Sequence, residues 1–144
     1  MKRIIIFSLL VFQFSHASAQ FTPNCSNIGQ FIVNQVPLTE TQINTIDALQ
    51  QAQFPSVVRI QGPTTSFNCH NYAFVKSEGG NEFWLDTPGD DAFWNDGSYV
   101  STSNITQANL KVSYQGDHTG VTTSTINEVI SKWGPWGLYR HNIN

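Results

Sequence analysis

Residues 66–74 read Ser66-Phe67-Asn68-Cys69-His70-Asn71-Tyr72-Ala73-Phe74. Asparagine is a strong helix N-cap because its side-chain oxygen accepts from a free backbone N–H of the first turn. The spacing of Tyr72, Ala73 and Lys76 predicts a helix from Cys69 to about Ser77, closed by Gly79-Gly80. A thiol at the start of a helix meets unpaired N–H groups and the positive end of the helix dipole, and both favour the thiolate. The same N–H groups lie where an oxyanion forms when a nucleophile attacks a carbonyl. The stretch therefore predicts a nucleophilic cysteine on a helix, with Asn68 as its cap and a candidate oxyanion donor. His70 is expected to point away from the thiol and to hydrogen-bond at the helix surface.

A thiol nucleophile needs a base held by a separate element. Asp117-His118-Thr119-Gly120-Val121 puts a histidine at the start of a predicted strand, where a rigid backbone can fix an imidazole. Around these segments the chain reads as helix first and strands after. Thr39 with Gln42 predicts a capping box, followed by Ile43, Ile46 and Leu49 at helical spacing and a stop at Pro55. Val57-Val58-Arg59-Ile60 and Phe83-Trp84-Leu85 read as short strands. Leu110, Val112 and Tyr114 alternate with polar residues, and residues 120–124, 129–133 and 138–141 read as further strands. One or two helices ahead of an antiparallel meander is an α+β layout.

Four segments, Asn68-Cys69-His70-x-Tyr72-Ala73, Asp96-Gly97-Ser98-Tyr99, His118-x-Gly120-Val121 and Ser131-Lys132-Trp133-Gly134, resemble small exported bacterial proteins of the NlpC/P60-like, papain-fold type. The resemblance covers residues 60–141. It implies a helix beginning at a nucleophilic cysteine, an antiparallel sheet after it, a histidine base opening a strand and a third polar residue on the next strand. Carried over, Cys69 matches the nucleophile, His118 the base, and His141 is the candidate third member. The implied reaction is hydrolysis of a peptide or amide bond, with a peptide or the stem peptides of peptidoglycan as substrate.

Other readings compete. Cys25 and Cys69 are an even pair, and in an oxidising compartment such a pair suggests a disulfide. A disulfide-stapled, non-catalytic, aromatic-rich binding module for glycan or peptide, or a degenerate papain-fold interaction protein, is the alternative function. Cys69, His118 and His141 supply three possible zinc ligands but lack the usual ligand spacing, so neither metal nor cofactor is expected. In the acidic stretch 86–96, aligning Gly97 with the glycine of a calcium loop puts Ala92 and Trp94 where carboxylates are required. Turn chemistry is the better account of that stretch. Trp84, Trp94, Trp133 and Trp136 read as packing rather than a sugar platform.

Composition and the amino terminus set the context. The chain has 144 residues, 12% aromatic and 12% charged, with a net charge of −3. Charged residues are about half the usual share of ~25%, which excludes a charge-rich disordered chain. An acidic balance excludes the basic face that a nucleic-acid binder needs. Lys2 and Arg3, the apolar run 4–14 and Ala17-Ser18-Ala19 together read as a signal peptide over residues 1–19. The apolar run is too short to anchor the chain in a bilayer. Residues 20–144 are then expected as one secreted or periplasmic domain without a membrane anchor, with 20–37 as an N-terminal arm.

Overall fold

The computed structural model describes residues 20–104, 106–115 and 117–143; the predicted signal peptide lies outside them. The first long element is α1, Glu40–Gln53. Its capping box forms as the sequence predicts, with the Thr39 N–H donating to Gln42 Oε1 at 2.9 Å and the Gln42 N–H to Thr39 Oγ1 at 3.3 Å. Helix α1 lies at the surface. Ile43 and Ile46 are half-buried and Gln50 is buried, while Leu49, expected on the same apolar face, is 42% exposed. Asp47 pairs with Arg59 at 2.5 Å and ties α1 to the strand that follows.

A five-stranded antiparallel sheet carries the rest. Its strands are β2 (Val58–Gln61), β4 (Lys111–Tyr114), β5 (His118–Thr122), β6 (Glu128–Lys132) and β7 (Leu138–Asn142), in the order β2-β7-β6-β5-β4. Strands β4 to β7 are the expected meander. Strand β2 adds to its far side, with Val58 opposite Arg140 and Gln61 opposite Leu138. In β5, residues Thr119 to Thr122 are all buried, as expected of a strand covered on both faces.

Helix α2, Cys69–Phe74, packs on β5 and β6. It is shorter than the spacing suggested. The backbone breaks at Val75 (φ −127°), a 3₁₀ turn follows over Lys76–Glu78, and Gly79 at φ +85° ends it in a conformation that glycine adopts without strain. Ala73, Phe74 and Val75 enter a core with Ile28, Leu85, Phe93 and Val121. Phe74 stacks on Phe93 with ring centroids 4.4 Å apart.

That stack corrects the reading of residues 86–96 as turns alone. A short helix, α3, spans Asp91–Asn95 and turns Phe93 into the core. The arm is also more firmly built than its lack of periodicity suggested. Its strand β1 (Ile32–Val33) pairs with β3 (Trp84–Leu85), and Ile28 is fully buried. Further back, the Asn24 side chain donates to the Asp96 carbonyl at 2.9 Å and the Asn24 N–H to Ser98 Oγ at 3.2 Å. Thr22 donates to the Asp96 carboxylate. The Asp96-Gly97-Ser98-Tyr99 segment thus anchors the arm. Among the described residues, no helix is long and apolar enough to cross a membrane.

Candidate active site

Cys69 is the first residue of α2, and Asn68 caps it by accepting from the Asn71 N–H at 3.1 Å. The rest of the Asn68 side chain is spent on β3. Its Nδ2 donates to the Leu85 carbonyl at 2.6 Å, and its Oδ1 also accepts from the Leu85 N–H at 3.3 Å. Buried, Asn68 is a cap and a strut, with one of the two hydrogens of its amide given to the Leu85 carbonyl.

The thiol of Cys69 is 7% exposed. Burial pushes its pKa up, but hydrogen bonds to His118 and His70 and the charges of both rings overcome this and bring it down to about 5. His118 opens β5 opposite Tyr114, whose ring lies 5.4 Å from the imidazole. The two segments predicted to act together do meet: a helix start brings the sulfur, and a strand start brings the ring.

His141 is placed differently from expectation. Its Nδ1 faces the Asn142 carbonyl at 2.6 Å and its Nε2 faces Ser131 Oγ at 2.7 Å. A carbonyl only accepts, so Nδ1 carries the hydrogen and Nε2 accepts from the Ser131 hydroxyl. Ser131 in turn accepts from Trp133 Nε1 at 2.9 Å. Burial lowers the His141 pKa, and the nearby charge of His118 lowers it further. His141 is therefore within electrostatic reach of His118, but both its ring nitrogens are engaged with other residues.

His70 is the residue that sequence reasoning misplaced. It is buried at 3% exposure, with Nδ1 3.3 Å from Thr119 Oγ1 and 3.5 Å from Asp90 Oδ2, and Nε2 3.4 Å from Asp117 Oδ1. Its neighbours come from positions far along the chain, so only the adjacency Cys69-His70 was available as a signal. Burial lowers its pKa, but Cys69, Asp90 and Asp117 raise it more, and the net direction is up.

Lys132, from the Ser131-Lys132-Trp133-Gly134 segment, is fully buried. Its Nζ donates to the carbonyls of Thr64 at 2.8 Å and Trp136 at 2.6 Å, and to that of Gly134. Burial brings its pKa down to about 7, against the upward pull of Cys69 and Glu82. Three carbonyl acceptors match the three hydrogens of an ammonium, so the geometry is that of the charged form.

The zinc alternative through Cys69, His118 and His141 has no counterpart, since the one such grouping among the described residues is His70, Asp90 and Asp117. There the two carboxylates face different nitrogens of a single ring. One ligand atom from each of the three lies within 4.8 Å of the others. Cys25 is exposed, Cys69 is buried, and both are free thiols, which removes the staple on which the binding-module alternative depended.

Comparison with profiles of known families, with characterised proteins and with solved structures gives no match for this chain.

Proposed function

We propose that the chain is an exported cysteine hydrolase of peptide or amide bonds, with a papain-like fold of the NlpC/P60 type. The observation that carries this reading is the Cys69 thiol, brought down to about 5 beside His118 at the meeting of a helix start and a strand start. At neutral pH such a group is a thiolate, the form that attacks carbonyl carbon. A cysteine helix packed on an antiparallel sheet whose strand presents the histidine also fits the papain-like layout.

The steps balance as follows. The Cys69 thiolate adds to the carbonyl carbon, and the C–N bond breaks as His118 gives its proton to the leaving amine. The product is a thioester on Cys69. Neutral His118 then takes a proton from water, the hydroxyl adds to the thioester carbon, and the C–S bond breaks to release the acid and restore the thiolate. The imidazolium of that second step returns His118 to its starting state.

Peptidoglycan stem peptides are the proposed substrate and the space outside the cytoplasmic membrane the proposed location, on the strength of the family resemblance and the signal-peptide pattern at residues 1–19. The test is digestion of purified peptidoglycan, read by mass spectrometry of released fragments, with Cys69→Ala as control. New amine and carboxylate ends with the wild-type protein alone are expected. Equal release by Cys69→Ala overturns the reading.

A further inference from the structure

The acyl-transfer steps leave one buried titratable group beside the nucleophile without a task. His70 shares α2 with Cys69 and presents its two ring nitrogens to two different carboxylates, Asp90 at 3.5 Å and Asp117 at 3.4 Å. A neutral imidazole has a hydrogen on only one nitrogen, so one carboxylate would then face a lone pair. With both nitrogens protonated, the ring carries a positive charge at ion-pair distance from both carboxylates. Asp90 makes the demand sharper. Its side chain is more than nine-tenths buried, and its Oδ1 has no hydrogen-bond partner among the described residues. An ionised carboxylate that deep and that poorly hydrogen-bonded is costly unless a cation lies beside it.

We infer that Asp90, His70 and Asp117 form a fixed imidazolium clamp, and that its positive charge holds Cys69 as the thiolate whatever the protonation state of His118. The inference rests on the reading of Cys69 as the nucleophile and assigns a division of labour within it. His70 is a positioning residue that acts through the sulfur, and His118 is left to exchange protons. In a simple ion pair, the imidazole that gives up its proton also deprives the thiolate of its counter-charge. The clamp removes that conflict.

The groups facing His70 are Cys69 on its own helix, Asp90 ahead of α3, Asp117 in the turn before β5, and the neutral Thr119 hydroxyl on β5. Those acting on Cys69 are His70 and His118, and Lys132 on β6 senses its charge. The net upward direction at His70 agrees with the clamp. At Asp90 burial raises the carboxyl, the charge of His70 works against that rise, and the like charges of Asp117 and Asp91 add to it, so the net direction is up.

The experiment is the rate of iodoacetamide alkylation of Cys69 across a pH series, followed by mass spectrometry in the full chain. The proteins are wild type, His118→Ala, His70→Gln, Asp90→Asn and the double variant His70→Gln/His118→Ala, with fold checked by circular dichroism. Each single variant should raise the alkylation midpoint by about one to two units, a ten- to hundredfold loss of thiolate below the midpoint. His118→Ala should remain well short of the ~8.5 of an ordinary thiol, and only the double variant should reach it. A His118→Ala midpoint already at ~8.5, or a His70→Gln midpoint equal to wild type, overturns the clamp. Where His70→Gln fails to fold, the isosteric Asp90→Asn replaces it, together with nitrogen NMR of wild-type His70 at neutral pH; a singly protonated ring overturns the clamp. A wild-type midpoint at the ordinary value rejects the activated nucleophile itself, so the two failures are distinct.

Discussion

Asn68 and Leu85 are joined twice, amide to carbonyl at 2.6 Å and N–H to side-chain oxygen at 3.3 Å, so the residue before the thiol is held as firmly as a strand neighbour. The start of α2 is positioned by β3 as well as by its own turn. A helix of six residues has little intrinsic stability, and this brace, with the packing of Phe74, supplies what the length lacks.

Asn68→Ala should therefore cost more than an ordinary cap. Loss of the cap and of two buried bonds to Leu85 predicts a destabilisation of about 2–4 kcal/mol. Urea unfolding measures it. Asn68→Asp keeps the accepting oxygen for the cap but sets a second buried acceptor against the Leu85 carbonyl, so it should not recover the loss. A loss below about 0.5 kcal/mol for Asn68→Ala, the level of an exposed surface change, contradicts the brace.

Cys69 should label with iodoacetamide with a midpoint near pH 5, the value to which its two imidazole neighbours bring it. Exposed Cys25 is the internal reference in the same sample. At about pH 6 an ordinary thiol of pKa ~8.5 is almost wholly protonated, so Cys69 should lead clearly. The folded thiol binds its proton less tightly than the unfolded chain does. Its contribution to stability is thus full above the ordinary thiol range and is lost as pH falls through about 5. Equal labelling of the two cysteines rejects the prediction.

His141→Ala should change stability more than thiol chemistry. It deprives Ser131 and, through it, Trp133 of an ordered partner, which predicts a loss of about 1–2 kcal/mol. The midpoint of Cys69 alkylation should move by less than in His118→Ala. Because burial lowers the His141 pKa, the unfolded chain takes up this proton first as pH falls. Stability from this group is complete above ~6.5 and declines below it. An alkylation shift as large as that of His118→Ala would instead make His141 a direct partner of the base.

Lys132→Met should be the most damaging of the lysine replacements. It leaves the carbonyls of Thr64, Gly134 and Trp136 without their common donor, in a fully buried position. The expected loss is about 3–5 kcal/mol, read from denaturant unfolding. Replacement of the exposed Arg140 offers the comparison, with an effect within about 0.5 kcal/mol.

The sequence made some of this legible and hid the rest for physical reasons. The cap at Asn68, the box at Thr39 and Gln42 and the alternation of Leu110, Val112 and Tyr114 are local signals, and the elements they announce are present. Cys69 and His118 were legible because each sits at the start of its element, where a functional group meets either free N–H groups or a fixed strand. Helix α3 was hidden because Asp, Asn and Gly around it favour turns, and only the stack of Phe93 on Phe74 decides otherwise. His70 was hidden because its burial depends on Asp90 and Asp117, which reach it only through the fold. His141 was placed correctly on the last strand, but a strand position does not say which neighbour its nitrogens will choose.

Strand β2 lies beside β7, so Val58 meets Arg140 across about eighty residues of intervening chain. The hairpins β4 to β7 are local and can form early, whereas β2 must wait for the final strand to be made. The two rings that lower the Cys69 pKa, His70 and His118, lie later in the chain than the cysteine itself, and the carboxylates that flank His70 lie later than that ring. The surroundings that set the thiol's proton affinity are therefore complete only when the chain has been made beyond His118 and α2 has packed on β5.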